Sequence, residues 1–161
     1  MPDVHIRPAG EGDVPVILAL IRGLAEYEKA RPEDLPVDEA ALRESLFGAK
    51  PAAEVLLADV EGETAGFALF FHNFSTWQGR RGLYLEDLFV RPEMRGRGIG
   101  QALLRELARI AADRGCARME WAVLDWNTPA IDFYASLGAV PMDEWTVFRL
   151  TAPAIARLAN R

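Results

Sequence analysis

The sequence has 161 residues, of which 50% are hydrophobic and 26% are charged, and its formal net charge is −6 at pH 7. This length and composition predict a single domain over residues 1–161, with a core large enough to fold without disulfides or metals. The negative charge argues against nucleic-acid and acidic-membrane partners, because both bind to a positive field.

The residue counts also argue against disulfide and zinc chemistry. Cys116 is the only cysteine, so no intramolecular disulfide can form and the chain suits a reducing compartment. With His5 and His72 as the only histidines, we expect no metal site. Residues 1–7 lack an apolar run long enough for a signal peptide, and no later segment is long enough to span a bilayer. We therefore expect a cytoplasmic protein.

A strand and a helix are predicted within the first 30 residues. Residues 4–7 alternate apolar and polar side chains and precede Pro8, which is typical of a strand. A helix is expected to begin after Asp13 as its N-cap and to fray near residues 28–29, because Pro32 forbids a clean continuation. Its apolar stripe comprises Val14, Ile17, Leu18, Ile21, Leu24 and Ala25.

A second helix and a hairpin follow. The helix is predicted from Asp38 to Gly48. Residues 53–60 and 65–71 are predicted to pair as antiparallel strands around a turn at residues 61–63.

Two segments of the first half each allow two interpretations. Residues 26–34 are acidic with one aromatic residue, Tyr27, and form either a solvated helix end or part of a pocket for a cationic substrate. Residues 72–82 are predicted to be a loop, in which Trp77 either lines a substrate mouth or covers a sheet edge.

Residues 83–104 predict an apolar strand, a basic glycine-rich turn and the start of an amphipathic helix. Closely spaced glycines before a helix N-terminus can hold an anion. A Walker A loop is excluded, because Gln101 follows the last glycine where that loop needs lysine. Gln101 also replaces the third glycine of a dinucleotide fingerprint. Two interpretations remain for Arg95-x-x-Gly98-x-Gly100: a diphosphate-binding turn, or a solvated surface turn.

The remaining third of the chain alternates helix and strand patterns. A long helix from residue 99 ends near Arg114 and Gly115, and Asn127 begins a short helix with proline in its first turn. The other predicted elements are a strand over residues 118–124, a closing hairpin formed by residues 139–142 and 145–150, and a helical tail over residues 151–161.

Four ordered signals stand out in the second half: residues 85–87, the Arg95-x-x-Gly98-x-Gly100 turn, residues 123–127 and residues 130–139. Together they resemble the GNAT superfamily of acetyl-CoA-dependent N-acetyltransferases, and the turn resembles its pyrophosphate-binding signature. Residues 84–87 combined with residues 124–127 resemble the spermidine/spermine acetyltransferase branch and its bacterial relatives, including diamine- and thialysine-type enzymes.

The resemblance implies an α/β fold with a mixed, strongly bent sheet whose splayed central strands admit acetyl-CoA and are flanked by helices. By this resemblance, strand backbone pairs with the pantetheine arm, turn amides hold the pyrophosphate, and the start of the short helix contacts the cofactor from the other side. The implied cofactor-binding residues are Leu88, Phe89, Val90, Arg95, Gly96, Arg97, Gly98, Ile99, Gly100, Asn127 and Ala130.

Amine acetylation needs a neutral nitrogen, and an alkylamine with a pKa of about 10.4 is neutral only about once in 2,500 at pH 7. The deficit is about 4.6 kcal/mol. Glu86 interrupts an apolar strand, where a charge is costly, and is the candidate to relay the proton, by resemblance through a water. It is a general base, an amine-binding carboxylate or a structurally paired residue.

Tyr134 matches the general acid of the family, which protonates or hydrogen-bonds the leaving thiolate. A phenol with a pKa of about 10 is a weaker acid than a thiol of about 8.5, so hydrogen-bond stabilisation precedes full transfer. The alternative is a core tyrosine beside Phe133.

The expected substrate is a small cationic amine such as a polyamine, a diamine or thialysine, and the resemblance assigns Tyr27, Glu28, Glu86 and Glu120 to its pocket. Other acidic residues that can contribute are Glu26, Glu33, Asp34 and Asp87. The resemblance also implies a homodimer. A protein or amino-acid acetyltransferase and a non-catalytic acetyl-CoA sensor are the alternative functions.

Overall fold

The computed structural model describes residues 3–160, so Met1, Pro2 and Arg161, which belong to the predicted termini, lie outside the described residues. Five strands are present: β1 (Val4–Pro8), β2 (Glu54–Val60), β3 (Glu63–Ser75), β4 (Arg80–Val90) and β5 (Met119–Trp121). Five α-helices accompany them: α1 (Val14–Tyr27), α2 (Glu39–Phe47), α3 (Ile99–Asp113), α4 (Thr128–Ser136) and α5 (Ala152–Leu158).

The chain divides into two compact units, Met1–Ala122 and Val123–Arg161. The first unit contains the whole sheet with α1, α2 and α3, and the second contains α4 and α5. The expectation of a single domain stays a prediction.

The sheet of the first unit has the strand order β1-β2-β3-β4-β5, and every neighbouring pair is antiparallel except β4 and β5, which are parallel. The predicted mixed sheet with flanking helices is therefore confirmed. The β4–β5 ladder is short, running only from Leu83 opposite Met119 to Leu85 opposite Trp121. Among the described residues, β4 has no strand partner on this edge from Glu86 to Val90.

Both faces of the sheet are covered by helices. The first face carries a core in which α1 and α2 pack on β2, β3 and β4, with Leu57, Phe67 and Phe89 as strand residues. The helix α3 packs against β1, β2, β3 and β4, and none of its side chains belongs to the core under α1 and α2, so α3 covers the second face. The Arg114 guanidinium, which follows α3, lies 5.9 Å from the centre of the Phe70 ring. Each fully buried side chain of this size stabilises the fold by about 1.5–3 kcal/mol.

The prediction of a loop over residues 72–82 is wrong. Backbone pairing continues to Ser75 opposite Arg80, and the His72 ring lies 3.0 Å from the Gly82 carbonyl oxygen, so the connecting turn is only residues 76–79. The polar sequence suggested a loop because this end of the hairpin extends beyond the core. Trp77 in the turn is 94% exposed and covers no sheet edge in the part of the chain that is described.

The C-terminal hairpin prediction is also wrong. No strand occurs over residues 139–150, although the predicted short helix and most of the tail helix are present as α4 and α5. Val147 and Phe148 are 84% and 92% exposed, and two strands paired only with each other are marginally stable in water. The strand predicted over residues 118–124 is present but shorter, as β5.

No helix within residues 3–160 combines the length and apolarity needed to cross a membrane.

Candidate active site

A β-bulge in β4 marks the place where β4 leaves β5. Leu69 of β3 pairs with Asp87 and the next residue, Phe70, pairs with Leu85, so Glu86 is an extra residue on β4. A bulge bends its strand and redirects the neighbouring side chains. Because the β4–β5 ladder ends at Leu85, Glu86 and Asp87 occupy the first positions of the unpaired edge.

The C-terminal end of α1 lies close to β4. A side-chain carbon added at Gly23 would stand 3.0 Å from the Phe89 ring, which is tighter than ordinary packing. Gly23 therefore permits an approach that a larger residue would disturb, and it brings Tyr27 and Glu28 toward β4. The sequence pattern gave no sign of this role, because Gly23 lies inside an otherwise ordinary helical stripe.

Three carboxyl groups form an acidic cluster, which we define as Glu28, Glu86 and Asp87. Burial, followed by the charges of Glu86 and Glu28, raises the pKa of Asp87 to about 6. Burial also raises the pKa of Glu28. Within residues 3–160, no lysine or arginine lies within ion-pair distance of these three groups. A cation bound here would relieve both the desolvation and the repulsion.

Glu120 lies on β5, the strand that pairs with the start of β4. It stands opposite Tyr84 in the β4–β5 ladder, and burial followed by the charges of Glu86 and Glu120 raises the pKa of Tyr84. However, the Glu120 carboxylate already has a cation, because the Arg118 Nε atom is 3.1 Å away. Glu120 is thus a less available partner for a substrate cation than the acidic cluster.

The acidic stretch after α1 is largely neutralised by its own arginine. Arg31 donates two hydrogen bonds to Asp34, at 3.0 and 3.1 Å, and its Nε atom is 3.8 Å from Glu33. All three side chains are mostly exposed. The solvated-helix-end interpretation therefore describes Glu33 and Asp34, whereas Glu28 belongs to the acidic cluster.

The glycine-rich turn forms an open cradle before α3. Gly96 and Gly98 have φ angles of +79° and +76°, and a side-chain carbon added at either would meet nothing within 4 Å. The first amides of α3 have no partner within the helix, and the helix dipole favours an anion there. A side-chain carbon at Gly100 would make ordinary contact with Val90 at 3.9 Å, so packing alone does not require glycine there. These features fit a diphosphate.

The side chains around the turn differ in whether they are available to contact a ligand. Arg97 is exposed, whereas Arg95 donates a hydrogen bond from Nε to the Val90 carbonyl oxygen at 3.1 Å. The side chains of Phe89 and Ile99 are buried in the core, and those of Leu88 and Val90 are half-buried. Any ligand contact on β4 would therefore fall mainly to its backbone. Within residues 3–160, no group of three or more His, Cys, Asp or Glu side chains is arranged to hold a metal ion.

The second unit carries the remaining predicted site residues. The Asn127 side chain accepts a hydrogen bond from the Ala130 amide at 3.4 Å and so caps α4. Tyr134 is partly exposed, and its ring centre is 5.7 Å from that of Phe133. The roles predicted for Asn127, Ala130 and Tyr134 stay predictions.

The match to a protein family decides the broad assignment. The model of the acetyltransferase (GNAT) family matches residues 21–139, which include the acidic cluster, the turn and α4. The chain belongs to the GNAT family. The predicted resemblance is confirmed, and the chain is an N-acetyltransferase enzyme.

Individual GNAT relatives narrow the comparison. Thialysine N-epsilon-acetyltransferase of Bos taurus is 43% identical over 172 aligned positions that span all of both chains. Spermidine/spermine N(1)-acetyltransferase-like protein 1 of Homo sapiens is 34% identical over 96% of this chain, although the match spans 24% of that protein. A solved integron cassette protein from the mobile metagenome of V. cholerae has a TM-score of 0.81 at 27% identity, covering 98% of each chain.

Proposed function

We propose that this GNAT enzyme transfers an acetyl group from acetyl-CoA to a primary amine of a small cationic molecule, such as a polyamine, a diamine or thialysine. The transfer occurs by direct attack while both substrates are bound. The observation that carries the proposal is the acidic cluster beside the unpaired edge of β4, whose three carboxyl groups have no lysine or arginine within ion-pair distance among residues 3–160. The names of the thialysine and spermidine/spermine relatives support the same substrate class.

Acetyl-CoA supplies the acetyl thioester when it is bound. In the proposal, the amides of residues 95–100 hold the diphosphate, and the exposed Arg97 adds a charge-assisted hydrogen bond. The backbone of residues 88–90 pairs with the pantetheine arm along the unpaired edge of β4. Asn127 and Ala130 are the proposed contacts in the second unit.

The acidic cluster attracts the ammonium form of the acceptor and accepts its proton. Glu86 is exposed at the bulge and is the proposed base, acting directly or through water, while Glu28 and the less exposed Asp87 hold the cation. The deprotonation to be assisted amounts to about 4.6 kcal/mol at pH 7 for an ordinary alkylamine. Tyr27 and Glu120 are the proposed flanking residues of this pocket.

Tyr134 is the proposed proton donor to the leaving thiolate. Its phenol oxygen, Oη, would donate a hydrogen bond as negative charge develops on sulfur, and such stabilisation needs no complete proton transfer. In the proposal, Glu86 accepts a proton and Tyr134 provides one.

An amine panel tests the proposed reaction. The enzyme is incubated with acetyl-CoA and spermidine, putrescine, thialysine, amino acids or peptides with free N-termini, and free thiol and acetylated product mass are measured. We expect acetylation of the polycationic acceptors and of thialysine. Acetylation of only neutral or acidic amines would overturn the substrate class, and tight acetyl-CoA binding without thiol release would favour a sensor.

Initial rates test the direct attack. Varying acetyl-CoA at several fixed amine concentrations should give intersecting double-reciprocal lines, because both substrates must be bound before the chemical step. Parallel lines would indicate an acetylated enzyme and would overturn the ternary complex.

We also propose that the enzyme is a homodimer. The support is the exposed apolar side chains in the second unit, including Trp145 at 70% and Phe148 at 92% exposure, since contiguous exposed apolar residues often mark an interface. Light scattering after size-exclusion chromatography should give about twice the 17.8 kDa chain mass. A mass equal to one chain at micromolar concentration would contradict the dimer.

A further inference from the structure

The guanidinium of Arg95 is directed toward the end of α1. Its central carbon lies 4.5 Å from the centre of the Tyr27 ring and 5.6 Å from that of the Phe89 ring. The Nε atom donates to the Val90 carbonyl oxygen at 3.1 Å, which holds the side chain against the end of β4. Arg95 therefore contacts α1, β4 and the turn that it begins.

These contacts distinguish Arg95 from its neighbour Arg97. Both are exposed arginines of the same turn, but only Arg95 is stacked on an aromatic ring and bonded to backbone among the described residues. A guanidinium over a tyrosine face gains about 0.5–1 kcal/mol at an exposed site, which corresponds to about a two- to fivefold change in an equilibrium constant. The stack therefore helps to set where the turn backbone lies.

The other partner of the stack belongs to the amine side of the site. Tyr27 is the last residue of α1, and the next residue, Glu28, is one of the charges that raise the pKa of Asp87. Moving Tyr27 therefore moves the carboxylate of Glu28 relative to β4. The close approach of Gly23 to Phe89 places the same helix end against the strand on which Arg95 rests.

We propose that Arg95 is a positioning residue that couples the two substrate sites through its stack on Tyr27. It orients the diphosphate-binding turn and the α1 end together, so that binding at one site favours the productive geometry of the other. The inference rests on the proposed function, because it takes the turn as the acetyl-CoA site and the acidic cluster as the amine site. Since coupling between two sites is reciprocal, amine binding must change coenzyme A affinity by the same factor by which coenzyme A binding changes amine affinity. Loss of the stack that carries the coupling, by a change in Tyr27, should therefore also alter coenzyme A affinity.

A double-mutant cycle on coenzyme A binding tests the coupling. Dissociation constants for coenzyme A are measured by calorimetry with the wild-type enzyme, Tyr27→Leu, Arg95→Met and the double variant. Tyr27→Leu alone should weaken binding about two- to fivefold, although Tyr27 is assigned to the amine pocket. In the Arg95→Met background, the same change should have no further effect. Tyr27→Phe, which keeps the ring, should bind within about twofold of wild type.

A second variant separates the stack from the charge. Arg95→Lys keeps a cation for the diphosphate but loses the planar stacking group and its Nε donor. It should raise the KM for spermidine about two- to fivefold, whereas Arg105→Met, on the exposed face of α3, should leave the KM unchanged. Thermal unfolding of each variant confirms that it is folded.

The outcomes separate the two proposals. Unchanged coenzyme A binding by Tyr27→Leu, or single effects that multiply in the double variant, would overturn the coupling and leave the proposed function intact. An unchanged KM for spermidine in Arg95→Lys would also overturn it. If the wild-type enzyme binds no coenzyme A, the proposed function itself is overturned and the coupling with it.

Discussion

Two groups of acidic residues in the first unit have opposite electrostatic surroundings. In one, Arg7 binds Asp13 at 2.8 Å and Asp59 at 2.7 Å, and its guanidinium holds the pKa of Asp13 below its usual range. In the other, burial, followed by the charges of Glu86 and Glu28, raises the pKa of Asp87 to about 6, and no lysine or arginine within residues 3–160 is within ion-pair distance of it. Carboxylates that already have an arginine stabilise the fold, whereas those left without one are available to a cationic ligand.

The ion pairs of Arg7 with Asp13 and Asp59, which we call the paired group, also explain why Asp13 does not act as the expected helix cap. Asp13 stands at the N-cap position of α1 without a capping hydrogen bond to the helix. Its carboxylate instead accepts from Arg7 and from the Gly10 amide at 2.7 Å, and Asp59 accepts from the Thr64 hydroxyl at 2.9 Å. These contacts join β1, the start of α1 and the β2–β3 hairpin.

The largest expected effect is a loss of activity when the acidic cluster, but not the paired group, is changed. Glu86→Gln removes the proposed base and should lower kcat/KM for spermidine about 100- to 10,000-fold, because general-base catalysis contributes about that much. Asp59→Asn, a matched change in the paired group, should leave kcat/KM within about twofold once corrected for the folded fraction. Equal losses in both variants would remove the distinction between the groups.

Tyr134→Phe tests whether the carboxylates act with a separate proton donor. Removing the phenol oxygen should lower kcat about 100-fold, while the dissociation constant for acetyl-CoA changes less than about threefold. Steady-state kinetics and calorimetry measure the two quantities. Unchanged turnover would exclude Tyr134 from the mechanism and leave the core-tyrosine interpretation.

Arg7→Met should lower the free energy of unfolding by about 1–3 kcal/mol at pH 7, because it leaves two partly buried aspartates without their cation. The stabilisation from the lowered pKa of Asp13 is present above its usual value of 3.8 and is lost as pH falls through the folded value. The difference between the variant and wild type should therefore shrink below pH 4, as urea titrations at several pH values can show. A difference independent of pH would contradict the ion-pair account.

The smallest expected effect is an increase in the free energy of unfolding, from a change in Asp87. Because the folded-state pKa of Asp87 is raised, folding takes up a proton and wild-type stability falls as pH rises from 3.8 to about 6. Asp87→Asn should thus be more stable than wild type by about 1–2 kcal/mol at pH 8, and no more stable at pH 4. It should also lack the loss of amine kcat/KM that protonation of Asp87 causes below pH 6. A destabilised Asp87→Asn at pH 8 would show that the carboxylate is satisfied in the fold.

Local patterns were sufficient to predict the turn, α3, the antiparallel hairpin and the unusual position of Glu86 in an apolar strand. Glycine spacing, helix periodicity and a charge among apolar residues are all visible within about ten residues. The same reasoning misplaced residues 72–82, because backbone pairing between polar residues leaves no apolar alternation. It also predicted a hairpin at residues 139–150 from alternating apolar and polar residues, but the apolar side chains of this segment are exposed in the described structure.

The features missing from the sequence analysis depend on residues far apart in the chain. The raised pKa of Asp87 comes first from its burial by the fold and in part from the charge of Glu28, and the stack of Arg95 on Tyr27 joins residues 68 positions apart. The bulge at Glu86 becomes visible only when β3 and β4 are placed in register. A sequence can present the chemical groups of a site, but tertiary packing decides which of them remain without a partner.

The most direct test of the central claim compares two acceptors that differ in one charge. Butane-1,4-diamine and pentylamine have the same number of heavy atoms, and each offers a primary amine to the enzyme. If the acidic cluster holds a second ammonium, kcat/KM with acetyl-CoA should favour the diamine by about 10- to 100-fold at low salt. The ratio of the two kcat/KM values should be smaller in Glu28→Gln than in the wild-type enzyme. Equal efficiency for the two amines, or a preference for pentylamine, would contradict the account.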